Sequence, residues 1–135
     1  MKPQRARILA MQAIFQMDFQ KRPLKDLLLF DWIDYEIPND EKVFAAELVK
    51  GAIENSDIIN ETIIQFSKNW DIRRISRVSK AIITISLYQL MFLKDEMPYK
   101  VVIDEAIRIS KKYAEDDAGR FINGILDAYY WQDKK

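Results

Sequence analysis

The chain has 135 residues, of which 49% are hydrophobic and 31% charged, so it can form one domain with a real core. It contains no cysteine, which excludes disulfides and thiolate metal sites and makes the cytoplasm the expected compartment. It also lacks histidine, and its three glycines cannot form a GxxxxGK or GxGxxG loop. No segment is apolar for long enough to cross a bilayer. These properties predict a protein that is not an enzyme and that has no metal, no cofactor and no membrane segment.

The basic and acidic residues balance in number, 21 against 21, but they are unevenly distributed along the chain. The first seven residues include Lys2, Arg5 and Arg7 and no acid, whereas acids dominate residues 31–47. Further basic residues precede the predicted central helix and lie near the C-terminus: Lys68, Arg73, Arg74, Arg77 and Lys80, then Arg108, Lys111, Lys112 and Arg120. Two interpretations remain open for such groups, contact with phosphates and simple solvation of helix faces.

Apolar residues at steps of three and four predict amphipathic helices, and all four prolines fall between them. The first predicted helix runs from Arg5 to Gln20, with an apolar stripe of Ile8, Met11, Phe15 and Phe19 and with Leu9, Ala13 and Ile14 alongside. A short second helix after Pro23 carries Leu24, Leu27, Leu28 and Trp32. A third begins after Pro38, where Asn39 is the expected N-cap and acids at 40 and 41 suit the helix dipole. Gly51 is expected to interrupt it.

The same apolar spacing predicts four more helical segments from Asp57 onward. The first of them runs from Asp57 to Phe66, and the sequence predicts a break in helical structure over residues 67–72. Ser76 to Leu93 is apolar around much of its circumference, which predicts a central helix contacted on several sides. Lys100 to Tyr113 follows Pro98, and a loop from Glu115 to Gly119 leads into the last helix. In the helix after Pro98, the expected buried residues are Val102, Ala106, Ile109 and Tyr113. In the last helix, they are Phe121, Ile122, Ile125, Leu126 and Tyr129.

The start of the last helix combines residue types suited to single-stranded RNA. Arg120 offers charge for a phosphate, Phe121 a ring for stacking and Asn123 an amide for base edges. Phe121 could instead belong to the core, which its helical spacing favours. Asp116 and Asp117, just before this helix, are better explained by helix capping than by catalysis.

Three stretches of the chain resemble the NusB transcription antitermination family. The run from Met97 to Ile107, followed by Ser110 to Tyr113 and Arg120 to Asp127, closely resembles the family's C-terminal signature. Arg5-Ala6-Arg7 and residues 10–16 resemble its arginine-rich start and first helix, and Ala81 to Leu90 its central helix. The resemblance covers nearly the whole chain and is weakest over residues 21–40.

The resemblance implies an all-α, compact seven-helix fold of two small helical subdomains packed together. The expected organisation is one domain over residues 1–135, with helical halves of about 1–70 and 71–135. The implied function is that of a non-catalytic adaptor that binds boxA RNA together with the ribosomal protein NusE. In this role it would belong to the antitermination complex with RNA polymerase and support processive transcription of ribosomal RNA.

The resemblance also implies roles for individual residues. Those expected to bind RNA are Lys2, Arg5 and Arg7 in the N-terminal arm and Lys111, Asp117, Arg120, Phe121 and Asn123 in a second region. Asp117 would accept a hydrogen bond from a base or organise its loop. Those expected to bind the protein partner are Phe15, Phe19, Arg77, Ser79 and Lys80. Because the N-terminal arm is sparse in arginine, strong RNA binding is expected to need the partner.

Two alternatives to the hypothesis of an RNA-binding adaptor remain open. Similar helical modules occur in some RNA methyltransferases, so the chain could be a detached RNA-recognition module of such an enzyme. It could also be a helical dimerisation module, with Trp32, Tyr35 and other aromatic residues at the interface.

Overall fold

The computed structural model describes residues 3–68, 70–71 and 75–133, and these residues form seven α-helices and no strand. The helices are α1 (Pro3–Gln20), α2 (Leu24–Leu27), α3 (Asn39–Glu54), α4 (Ser56–Phe66), α5 (Arg77–Phe92), α6 (Tyr99–Tyr113) and α7 (Ala118–Asp133). The prediction of an all-α, seven-helix fold is confirmed. Within the described ranges, none of the helices is long and apolar enough to span a membrane.

Helix α5 lies at the centre and packs against α1, α3, α4, α6 and α7, as its apolar circumference predicts. Its N-terminus is capped by Ser76, whose Oγ accepts the backbone N–H of Ser79 at 3.0 Å. Two buried polar side chains inside the helix, Ser86 and Gln89, donate to the carbonyls of Ile82 and Ile85. The polar side chains of Ser86 and Gln89 are therefore buried without losing their hydrogen bonds.

The buried face of α1 differs from the predicted stripe. Ala6, Leu9, Ala10 and Ala13 are fully buried, whereas Phe19 is 56% exposed and Ile8 and Phe15 are only half-buried. Met11, Leu9 and Ala13 are buried as the apolar pattern predicts, whereas the exposed Phe19 lies outside the core. Three alanines on the inward face leave room for α1 to pack against both α3 and α5.

Helix α3 departs from its prediction at two positions. Asn39 is its first residue, and its N-cap is Pro38, which makes no side-chain cap hydrogen bond, so Asn39 is not the predicted cap. Gly51 does not interrupt the helix, which continues to Glu54. A Cβ on Gly51 would lie 2.1 Å from Cζ of Tyr88 on α5. The glycine therefore lets the tyrosine ring rest directly on the helix backbone.

Helix α2 is shorter than predicted and excludes Trp32, whose indole Nε1 instead donates to the carbonyl of Leu27 at 3.0 Å. Helices α6 and α7 pack on each other and on α5. Their buried residues include the predicted Val102, Ala106 and Ile109 and the predicted Phe121, Ile122, Ile125 and Leu126. Tyr129 is half-buried against this core, whereas Tyr113 is exposed.

Candidate RNA-binding and partner-binding surfaces

Of the two predicted basic residues of the N-terminal arm that the structure describes, Arg5 lies at the surface in an orientation set by hydrogen bonds. Arg5 donates from Nε and Nη2 to the two carboxylate oxygens of Glu41, the second bond at 2.9 Å. Glu41 lies in the first turn of α3 and its side chain is almost fully buried, whereas that of Arg5 is about one-third exposed. The hydrogen bond to Glu41 raises the pKa of Arg5. Lys2 lies outside the described residues.

Arg7 is buried, with 4% of its surface exposed. Its Nε donates to Oε1 of Gln89 at 2.8 Å, and its Nη2 donates to Sδ of Met97 at 3.2 Å. Burial lowers the pKa of Arg7, against an opposing attraction from Glu105. The predicted contact between Arg7 and an RNA backbone disagrees with this position, because a phosphate cannot reach an enclosed guanidinium. Arg7 instead joins α1 to α5 and to the loop before α6.

The second predicted RNA region surrounds the short connection between α6 and α7. Lys111, Asp117, Arg120 and Asn123 are all exposed there, which agrees with a surface role. Phe121 is only 6% exposed and packs edge-on against Trp70, with ring centroids 5.2 Å apart. Its ring thus belongs to the core, and the predicted stacking on RNA disagrees with its burial. It forms part of the wall of a cleft of about 230 Å³ that Asp117 also lines.

A cleft of about 340 Å³ separates the first turns of α1 from the C-terminal half of α6. It is lined by Gln4, Arg5, Ile8, Tyr35, Arg108, Ile109, Lys112 and Tyr113, and no carboxylate is among these residues. Of this set, the resemblance implies an RNA-binding role for Arg5 alone, whereas the charge pattern leaves phosphate contact open for Arg108 and Lys112. Arg108 and Lys112 are four residues apart and so share a face of α6, a spacing that the sequence already displays. Nothing in the sequence places Tyr35 beside them.

Four of the five predicted partner-binding residues are accessible near the end of α1 and the start of α5. The rings of Phe15 and Phe19 stack with centroids 5.5 Å apart, and Arg77 lies over Phe19 with its Cζ 5.2 Å from the ring centroid. Arg77 also lies 3.7 Å from a carboxylate oxygen of Asp18. Lys80 is exposed one turn further along α5. Arg77 and Lys80 border a groove of about 250 Å³ whose apolar lining is Ile14, Met17, Ala52, Ile53 and Ala81.

Ser79, the fifth predicted partner residue, is fully buried. Its Oγ donates to Oε1 of Glu115 at 2.9 Å, so it links the start of α5 to the loop before α7. The prediction that Ser79 faces a partner disagrees with this position. Partial burial of Glu115 raises its pKa, but hydrogen bonds, including those from Ser76 and Ser79, outweigh that effect and the net pKa is lowered.

Comparisons with known proteins match nearly the whole chain to one family. The NusB family model matches residues 4–130. A transcription antitermination protein NusB from Leptospira biflexa is 36% identical, over 93% of this chain and 89% of that protein. Solved T. maritima NusB superposes with a TM-score of 0.86 at 31% identity, covering 98% of this chain and 92% of that one.

A second solved structure of the same fold is a complex of antitermination factors NusB and NusE with dsRNA. The matched chain in it gives a TM-score of 0.78 at 25% identity, with 98% of this chain and 99% of that chain covered. The family model spans nearly the full length, and the sequence and structural relatives agree with it. The chain therefore belongs to the NusB family.

Proposed function

We propose that this chain binds boxA-like single-stranded RNA together with a NusE-type ribosomal protein, as a non-catalytic adaptor. As a member of the NusB family it is a transcription antitermination factor and not an enzyme. We place it in the cytoplasm, in the antitermination complex with RNA polymerase. One observation carries the proposal: the accessible candidate residues form two sets with no member in common, a basic and polar set on α1, α6 and α7 and an aromatic and basic set on α1 and α5.

The proposed RNA surface comprises Arg5, Lys111, Asp117, Arg120 and Asn123. Arginine and lysine contribute phosphate contacts, which provide most of the affinity of a nucleic-acid binder without reading sequence. Asn123 offers both a donor and an acceptor to a base edge, and Asp117 offers an acceptor. Lys2 stays a predicted member of this surface. Few cations are exposed here, which favours RNA binding that is shared with a second protein.

The proposed partner surface comprises Phe15, Phe19, Arg77 and Lys80. Aromatic residues and arginine are enriched at protein interfaces relative to the rest of the surface, and arginine is among the residues that most often carry the binding energy. The apolar groove beside Arg77 can receive a side chain of the partner, and Arg77 and Lys80 supply a charged rim. Among the described residues, this surface shares no member with the proposed RNA surface.

Fluorescent boxA RNA titrated with the full chain, with and without NusE, tests the proposal. We expect Phe19→Ala with Arg77→Ala to remove the gain in affinity that NusE gives, while binding to RNA alone is unchanged. We expect Lys111→Ala with Arg120→Ala to weaken binding under both conditions. Lys25→Ala with Lys50→Ala is the matched control, because both lysines are exposed and line neither surface.

Two outcomes would overturn the proposal. Equal affinity for boxA and scrambled RNA in the presence of NusE would remove the sequence-reading role. Concentration-dependent dimers in sedimentation experiments, together with no binding to RNA or NusE, would identify the chain as a dimerisation module instead.

A further inference from the structure

We infer that the cleft between α1 and α6, lined by Gln4, Arg5, Tyr35, Arg108, Lys112 and Tyr113, is a subsite for one nucleotide of the bound RNA strand. This assignment rests on the proposed function and extends it to five residues outside the RNA surface described above. Four properties of the cleft point to this ligand: its size, its charge, its aromatic walls and its place beside the proposed RNA surface.

The cleft has the size and floor of a small-ligand site. Its volume of about 340 Å³ is within the range of natural ligand pockets. Ile8 from α1 and Ile109 from α6 supply an apolar base, and both are packed in or against the core. The floor is therefore formed by side chains of two helices that are held firmly in the fold. An unstacked base could bury one face on this floor.

The charge of the cleft suits a phosphate. Arg108 and Lys112 are exposed and lie one turn apart on α6, and no acidic side chain lines the cleft. In the described part of the chain, Arg108 makes no hydrogen bond or ion pair. Arg5 is balanced by Glu41, so the net positive charge comes from the two α6 residues. Two such cations can neutralise one backbone phosphate without breaking an existing ion pair.

The polar and aromatic residues select a nucleotide over a simple anion. Tyr35 and Tyr113 are both exposed at the edge of the cleft and offer rings on which a base can stack, although Nζ of Lys112 lies over one face of Tyr113, 5.5 Å from its centroid. Gln4 contributes an amide, which can donate to and accept from a base edge. Inorganic phosphate would use only the cations and leave the rings and the amide without a role.

The cleft also lies between the two parts of the proposed RNA surface. Arg5 belongs to both the arm and the cleft, and Lys112 is the chain neighbour of Lys111. Glu41 acts as a positioning residue here, because it holds the guanidinium of Arg5 at the cleft edge through two hydrogen bonds. A strand that runs from the arm to Lys111 would place one nucleotide in the cleft.

The test uses the full chain with NusE and boxA RNA that carries single 4-thiouridine substitutions for photocrosslinking. We expect one position of the RNA to crosslink to Tyr35 or Tyr113. We expect Tyr35→Ala to weaken RNA binding about ten-fold, and Tyr35→Phe to retain affinity because the ring remains. Arg108→Ala with Lys112→Ala should lower the salt slope by about 0.7 unit for each phosphate that the protein no longer neutralises. Lys94→Ala with Lys100→Ala, exposed and outside the cleft, should have little effect.

The outcomes separate this subsite from the proposed function. If RNA binds the unaltered chain but every cleft variant binds equally well and the crosslinks map elsewhere, the subsite is wrong and the function stands. If the unaltered chain binds no RNA even with NusE, both are overturned. Uridine monophosphate alone, followed by NMR shifts of the Arg108 and Tyr113 amides, should bind far more weakly than the strand. Equally tight binding of the free nucleotide would overturn an RNA subsite.

Discussion

Arg5 at the start of α1 and Glu41 at the start of α3 are joined by two parallel hydrogen bonds between guanidinium and carboxylate. The pair ties the N-terminal ends of two helices together. The carboxylate lies in the first turn of α3, where the helix dipole also favours negative charge. The guanidinium of Arg5 is therefore oriented by the fold before any ligand arrives.

The interaction between Arg5 and Glu41 should stabilise the folded protein, so the effects of replacing the two residues should not be additive. Glu41→Gln keeps the shape of the side chain but removes the charge, so the melting temperature should fall. Arg5→Ala should lower it as well, and the double variant should lose less than the sum of the two single losses. Thermal unfolding by circular dichroism measures all three. Glu47→Gln, exposed on the same helix, is the control, and strictly additive losses would mean that the pair makes no net contribution.

Arg7 should behave as a structural residue and not as an RNA contact. Arg7→Met keeps much of the volume but leaves Gln89 without its donor, so the free energy of unfolding should fall by about 2 kcal/mol. The salt slope of RNA binding should stay unchanged. Arg120→Met should give the opposite pattern, with stability retained and the slope reduced. Urea unfolding and RNA titrations at several salt concentrations check both, and a reduced slope for Arg7→Met would place it on the RNA.

The effect of Gly51→Ala on the free energy of unfolding should change sign when the ring of Tyr88 is removed. Gly51→Ala forces the Tyr88 ring to move and should lower the free energy of unfolding by about 1–3 kcal/mol. When Tyr88→Ala has already removed the ring, the same change should raise stability by about 1 kcal/mol, because alanine favours the helix more than glycine does. Denaturant unfolding of the four proteins in the cycle measures this. A destabilising effect in both backgrounds would contradict the role given to the ring.

Glu115 should make part of the stability depend on pH. Its pKa in the folded protein is below the ordinary value of 4.5, so the ionised carboxylate stabilises the fold above that value. This contribution should disappear as the pH falls below 4.5 and through the lowered folded pKa. Glu115→Gln should therefore be less stable than the unaltered chain at neutral pH, and the difference should shrink in acid. Melting curves from pH 7 to pH 3 test it, and a constant difference would rule out this linkage.

Periodicity was sufficient to predict the helices and the central position of α5, because apolar spacing reflects burial directly. It failed for polar side chains that are buried. The resemblance implies surface roles for Arg7 and Ser79, which periodicity does not correct, and their partners Gln89 and Glu115 lie 82 and 36 residues away in the chain. Spacing alone cannot reveal such long-range pairs. The burial of Glu41 could have been predicted from spacing, because Glu41 shares a helix face with the apolar residues Phe44, Ala45 and Leu48.

The family resemblance directed attention to the ends of α1 and α6 but could not show which side chains reach the surface. The cleft with Tyr35 depends on the loop before α3, a part of the chain where the resemblance is weakest. The division of the chain into two halves near residue 70 stays a prediction.

The unbroken helix α1 sets a fixed distance between Arg5 of the proposed RNA surface and Phe19 of the proposed partner surface. It contains no glycine, and its only proline is its first residue, so nothing in its interior favours a kink. Arg5 and Phe19 are fourteen residues apart, which corresponds to about 20 Å along a helix at 1.5 Å per residue. A protein held at Phe19 must therefore reach across that length to touch RNA held at Arg5. The helix therefore fixes the separation of these two residues, and a partner that contacts both must span about 20 Å.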